Sequence, residues 1–236
     1  MARAARVPAG QAGRPPGRLQ GVMFDMDGLL VDSEPLWFEA EQRIMARLDG
    51  EWTQRDQLAL VGGSLAGSVG YLLARARRPA SFEQVARWLV DGMAELIAER
   101  ELAVMPGAVE LVRQVRAAGI PHALVTSSER GIMDAVLARL AGHGVTFSTT
   151  VCGADVRNAK PHPEPYQRGA ALLGADPRLC VALEDSPNGV AAAEAAGCRT
   201  VAVPSLAPIP DRPGRLVARS LTEIDLARLY GLIDGR

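Results

Sequence analysis

Apolar and polar positions follow two different rhythms along this chain, and the rhythm changes near Glu34 and again near Met105. Val22, Met23 and Phe24 form a continuous apolar run that suits a strand buried on both faces, and Gly28 closes it. From Pro35 onward the apolar residues recur at helical spacing. Leu36, Trp37, Ala40, Ile44, Met45 and Leu48 make one face, and further helical patterns cover 53–60, 65–78 and 82–100. Val61-Gly62-Gly63-Ser64 and Arg78-Pro79-Ala80-Ser81 interrupt these patterns, and no strand pattern falls between Pro35 and Glu101.

After Met105-Pro106-Gly107, short apolar strands alternate with helices. Helices are predicted at 107–118, near 129–141, at 163–173 and near 188–196, and strands at 121–126, near 147–152, at 180–184 and at 200–203. Such alternation implies parallel strands joined by right-handed crossovers. The expected fold class is α/β: a three-layer α/β/α, Rossmann-like core with a parallel sheet and an inserted all-helical cap domain. The expected boundaries are a flexible extension at 1–18, a core at 19–33 and 105–236, and a cap at 34–104. Pro204 to Gly214 reads as a surface loop and Leu221 to Leu232 as a closing helix.

Composition narrows this picture. Of the 236 residues, 48% are hydrophobic but only 4% aromatic, so the interior must be built mostly from Ala, Val and Leu. A net charge of −1 argues against nucleic-acid or membrane-surface binding through bulk electrostatics. No apolar stretch approaches the ~18–20 residues of a membrane span, and residues 1–18, with four arginines, lack the apolar centre of a secretory signal. Cys152, Cys180 and Cys198 have no metal-like spacing and read as small core residues in a reducing compartment. A cytoplasmic enzyme is the expectation.

Polar residues interrupt the pattern where strands end, which is where open parallel sheets gather their ligands. Asp25 and Asp27 follow the first strand at i and i+2, so strand alternation points both to one side while Met26 turns away. Thr126, Ser127 and Ser128 lead from a strand into a helix whose first N–H groups are free to bind an anion, although such hydroxyls also serve as ordinary helix caps. Lys160, fixed by Pro161, supplies a cation of the kind phosphoryl transfer needs. Glu184 and Asp185 end a buried strand. Two adjacent acids there call for a compensating cation, and a hard divalent ion, Mg²⁺, suits oxygen ligands.

The ordered set Asp25, Asp27, Thr126, Lys160, Glu184 and Asp185 resembles the haloacid dehalogenase superfamily of phosphohydrolases, from about residue 20 to 204. The resemblance implies Asp25 as nucleophile and Asp27 as general acid/base, with Thr126 and the Ser127 N–H holding the phosphoryl oxygens and Lys160 neutralising them. It implies Mg²⁺ bound by Asp25, the Asp27 carbonyl and Asp185, with Glu184 direct or through water. Members that cleave carbon–halogen bonds carry no acid at the second position, so Asp27 favours phosphoryl transfer.

The inserted helical unit is similar to the mobile cap of one branch, with hinges near Asp32 to Pro35 and Leu102 to Pro106 and a contact loop at Val61 to Ser64. Gly-Leu-Leu-Val-Asp-Ser-Glu-Pro-Leu-Trp is similar to the 2-deoxyglucose-6-phosphate phosphatases. The β-phosphoglucomutases call for a His where this chain has Trp37 and an Arg where it has Leu65. Hydrolysis of a small phosphorylated metabolite, such as a sugar phosphate, by a monomer is therefore expected, with the mutase as alternative and Arg55, Arg75, Arg77 or Arg78 as substitute cations. A phospho-accepting signalling receiver also clusters aspartates with a hydroxyl and a lysine, but on a shorter chain without an insertion. Trp37 is expected mainly in the cap's packing, His122 and His143 in structural or solvated roles, and His162 as a secondary candidate for the site.

Overall fold

The computed structural model describes residues 19–60 and 62–235. The extension expected at 1–18, and Val61 of the expected contact loop, lie outside the described residues.

Six parallel strands form the central sheet in the order β5-β4-β1-β6-β7-β8. They are β1 (Gly21–Phe24), β4 (His122–Val125), β5 (Thr149–Val151), β6 (Cys180–Glu184), β7 (Arg199–Ala202) and β8 (Arg215–Val217). Every residue of β1, β4 and β6 is buried, because helices cover both faces and remove the alternation of a one-sided sheet. Those helices are α5 (Ala108–Ala117), α6 (Arg130–Gly142), α7 (Glu164–Leu172), α8 (Pro187–Ala195) and α9 (Leu226–Asp234).

Strand order runs outward from β1 in both directions. β4 pairs one edge of β1, with Val22 opposite His122, and β6 pairs the other, with Val22 opposite Val181. The chain's crossovers therefore diverge on either side of β1, leaving a crevice beyond its C-terminal end. Asp25 is the first residue past that end.

Two short strands, β2 (Val31–Asp32) and β3 (Ala103–Val104), pair antiparallel where the sequence suggested only hinges. Between them run α1 (Glu34–Arg47), α2 (Gln54–Leu58), α3 (Leu65–Arg75) and α4 (Phe82–Glu99). Pro35 sits in the first turn of α1, and the Ser64 and Ser81 hydroxyls cap α3 and α4 by accepting from Gly67 N and Gln84 N. Helix α4 packs on α1 and α3 and also on α6 of the sheet layer. Arg139 of α6 donates to the Ile97 and Arg100 carbonyls at the C-terminal end of α4.

Two expectations need correction. The closing helix over 221–232 is a 3-10 turn at Leu221–Glu223 followed by α9, because Asp225 caps a new helix by accepting from Arg228 N at 2.9 Å. Strand β8 follows the proline-rich loop unannounced, since a three-residue, half-buried edge strand carries too little apolar pattern to be read.

Candidate active site

The turn after β1 brings the first two acids into one cavity. Gly28 adopts φ +75°, and its N–H donates to Val31 O at 2.9 Å. Any side chain at position 28 would overlap the Asp185 carboxylate, so glycine serves both the turn and the approach of β6.

Lys160 reaches the buried end of this cavity, only 5% exposed. Its ammonium donates to Asp25 Oδ1 at 2.6 Å, Glu184 Oε1 at 2.6 Å and Val125 O at 2.9 Å, which uses all three of its protons. Tyr166 adds its hydroxyl to Glu184 Oε1 at 2.5 Å, and Ser205 donates to Asp185 Oδ2 at 2.5 Å. Burial, reinforced by Glu184, pushes Asp25 up to about 7 despite Lys160. Burial, then Asp25 and Glu184, also holds Asp185 well above the carboxylate range. Burial works against the Lys160 charge, yet Asp25 and Glu184 keep it above the usual range of an amine.

Asp25, Glu184 and Asp185 are all buried and each offers an oxygen within 4.8 Å of the others. Three carboxylates share one lysine, so the cluster is short of positive charge. Hard oxygen ligands with a charge deficit fit a divalent cation such as Mg²⁺.

Asp27 is held differently. Its Oδ1 accepts from Ser33 Oγ at 2.6 Å and Trp37 Nε1 at 3.2 Å, and its Oδ2 from Ser128 Oγ at 2.8 Å and Thr126 Oγ1 at 3.3 Å. All four donors are neutral. The Ser128 N–H in turn donates to Thr126 Oγ1 at 3.0 Å, which folds the 126–128 loop over the end of β4. Ser127 Oγ is buried with no hydrogen-bond partner among the described residues. An orphaned hydroxyl in a cavity beside a lysine is the environment a phosphoryl oxygen would complete.

Asp25, Asp27, Thr126, Ser127, Lys160 and Asp185 line one cavity of about 80 Å³; Glu184 stands behind it, bonded to Lys160. Gly62 and Ser64 of the expected contact loop line it too, and Gly62 O accepts from Asn188 Nδ2 at 3.4 Å. Trp37, expected mainly in packing, does pack against the hydrophobic core, and it also forms part of this wall and bonds Asp27. His162 is exposed, its Nδ1 accepting from Glu164 N at 3.2 Å, and it does not line the cavity. His122 is buried, bridging the Ile120 and Thr146 carbonyls, and His143 is exposed. The three cysteines are buried and form no disulfide among the described residues. Among the described residues, no helix is long and apolar enough to cross a membrane.

Sequence reasoning passed over Ser33, Glu34, Glu41, Gln57, Tyr166 and Ser205 as site residues. Ser33 and Glu34 stood inside the quoted Asp-Ser-Glu segment, and Tyr166 six residues past Lys160. Glu41, Gln57 and Ser205 gave no local signal.

Comparison with known proteins agrees with this geometry. A family model described as haloacid dehalogenase-like hydrolase matches residues 19–197. Hexitol phosphatase B of Escherichia coli (strain K12) is 33% identical over 224 residues, covering 92% of this chain and 99% of that protein. A probable pseudouridine-5'-phosphatase of Drosophila melanogaster is 32% identical over 187 residues, covering 77% and 80%. The crystal structure of CbbY from Rhodobacter sphaeroides in complex with phosphate superposes with a TM-score of 0.79 at 28% identity, covering 89% of this chain and 99% of that one. The receiver alternative is thereby set aside: the chain belongs to the haloacid dehalogenase-like hydrolases.

Proposed function

We propose that the protein is a Mg²⁺-dependent phosphatase that hydrolyses a small sugar or polyol phosphate through an aspartyl phosphate on Asp25. The observation that carries this reading is the pairing of two differently held carboxylates in one cavity: Asp25 beside a buried lysine, and Asp27 among neutral donors.

Lys160 occupies Asp25 Oδ1, and Oδ2 accepts no hydrogen bond from a described residue. Oδ2 is then the oxygen available for attack on phosphorus. Asp25, Asp185 and the Asp27 carbonyl would hold the metal, with Glu184 directly or through water. When bound, the ion offsets repulsion between carboxylate and phosphate.

Thr126 and Ser128 give up Asp27 Oδ2 as their hydroxyls turn to the incoming phosphoryl oxygens, and the Ser127 N–H and hydroxyl join them. Asp27 is then free to give its proton to the leaving oxygen and later to take one from the water that opens the aspartyl phosphate. The helical insertion acts as a cap, hinged at β2 and β3, that excludes bulk water while the phosphoryl group moves to Asp25 and then admits the water that opens the intermediate. Every residue this mechanism needs comes from one chain.

Hydrolysis is favoured over the mutase alternative because a mutase must grip a second phosphate. Leu65 lines the cavity where a mutase carries Arg. Of the substitutes considered, none lines it: Arg75 is paired with Asp56 at 2.8 Å, Arg78 with Asp49 at 3.0 Å and Arg77 with Glu51 at 3.6 Å.

The test is phosphate release from hexose, pentose and hexitol phosphates, with and without Mg²⁺, by the native chain and Asp25→Asn. Metal-dependent release that vanishes in the variant is expected. Interconversion of glucose 1-phosphate and glucose 6-phosphate with no release would overturn the reading in favour of a mutase.

A further inference from the structure

The helical insertion closes the cavity with a wall whose described residues carry acids and no cation. Glu34, Trp37, Glu41, Gln57, Leu65 and Ser68 line it, and among the described residues the single basic one on the cavity surface is Lys160, already committed to Asp25, Glu184 and Val125 O. Each of the two acids is held by a neutral N–H through one oxygen. Gln57 Nε2 donates to Glu34 Oε2 at 3.0 Å, and Trp52 Nε1 donates to Glu41 Oε2 at 3.0 Å. The Oε1 atoms accept from no described residue.

Glu41 is only 3% exposed, on α1, where Trp52 reaches it from the segment between α1 and α2. A buried acid without a cation is costly to keep in a packed helical unit, and a hydrophobic residue would serve the core better. Burial pushes Glu41 up to about 8, with the Glu34 charge adding to it, and burial and Asp27 push Glu34 up to about 7. What such a wall offers a ligand is acceptor oxygens that hydroxyl groups satisfy. A second phosphate or a carboxylate would instead find no counter-ion there, and two like charges once the acids ionise.

We propose that Glu34 and Glu41 form a hydroxyl-acceptor subsite that selects an uncharged polyol as the leaving group and rejects one bearing a second anion, with Glu41 determining the specificity. This rests on the phosphatase reading above. Trp52 is the positioning residue that turns the Glu41 carboxylate toward the cavity, and Gln57 does the same for Glu34.

The experiment measures kcat/KM of the full chain with Mg²⁺ for six probes, glucosamine 6-phosphate among them, at about pH 7, and for glucose 6-phosphate and the anionic probes again at about pH 9, above the raised values of both acids. Acetyl phosphate has a leaving group too small to fill the cap end. Glucose 6-phosphate and sorbitol 6-phosphate are uncharged beyond the ester, whereas 6-phosphogluconate and fructose 1,6-bisphosphate carry a second anion. Both uncharged esters are expected to exceed both anionic ones by about 100-fold, as burying a second anion without a counter-ion dictates. At about pH 9, where Glu41 has lost its proton, Glu41→Gln is expected to raise 6-phosphogluconate relative to glucose 6-phosphate by about tenfold. Leu65→Arg, at a half-buried position, supplies a cation without touching Glu41 and is expected to raise the bisphosphate in the same way.

Equal or better turnover of the bisphosphate by the native chain would overturn the subsite, as would unchanged ratios in both variants. So would a tenfold preference for glucosamine 6-phosphate over glucose 6-phosphate, which would assign the wall to an ammonium group. Absence of acetyl phosphate hydrolysis would instead remove the phosphatase reading itself, and the subsite with it.

Discussion

Trp37 donates its indole N–H to Asp27 Oδ1 across 3.2 Å, joining helix α1 of the insertion directly to the acid that follows β1. The contact makes Asp27's position depend on where the helical insertion lies. Trp37→Phe keeps the ring and removes the donor. A single hydrogen bond of this length is worth about 1 kcal/mol, so kcat/KM for a good substrate is expected to fall about fivefold with folding intact. Steady-state kinetics beside a thermal melt would check this. An unchanged kcat/KM would mean that Ser33 alone suffices to orient Asp27.

Lys160 stands between two buried acids, each 2.6 Å away. Lys160→Met leaves both without their cation in a site that water reaches poorly. A loss of about 3–5 kcal/mol is expected in urea unfolding of the metal-free protein, together with loss of activity. Activity lost at undiminished stability would show that the metal-free site relaxes and lets water in.

The acids of the cavity set a pH dependence whose sign follows from their shifts. Glu41, pushed from 4.5 up to about 8 by burial, keeps its proton in the folded chain over a range where the unfolded chain has released it. The unfolded state therefore binds fewer protons, and stability falls as pH rises between the two values. Glu34 and Asp25, each raised to about 7, contribute in the same direction. The melting temperature of the metal-free protein is expected to drop from about pH 5 to about pH 8, and Glu41→Gln to flatten mainly the upper part of the drop. A melting temperature that rises over this interval would contradict the assignment.

Gly62 touches Ser186 across the mouth of the cavity, at φ +67°. A Cβ there would lie 2.6 Å from Ser186 Oγ and 2.8 Å from its Cβ. Gly62→Ala is expected to cost about 1 kcal/mol in backbone strain and to hold the loop off the core. KM should rise severalfold more than kcat falls. If instead kcat and KM are both native, the loop does not govern closure.

Much of the chemistry was legible because it sits at strand ends. Val22 to Phe24 and Cys180 to Leu183 are local apolar runs, and the polar residues that end them, Asp25 and Glu184, must fall at the sheet's edge wherever the strands pair. Lys160 was readable from its proline neighbours and from its order after Thr126. The two-residue strands β2 and β3 were not readable, because strands that short exist only through their partner.

The sequence by itself determined the α/β alternation, the helical insertion after the first strand, and the ordered acids, hydroxyl and lysine, since each depends on periodicity or on residues adjacent in the chain. Tertiary structure alone decided how those groups are shared. Lys160 bonds Asp25, 135 positions away, and Ser128 bonds Asp27, 101 positions away. The same is true of Trp37 reaching Asp27 while it packs on the core, and of Glu41 meeting Trp52. Such contacts follow from how helices pack over a sheet edge, and helix packing depends on the shapes of whole faces, which no local pattern records.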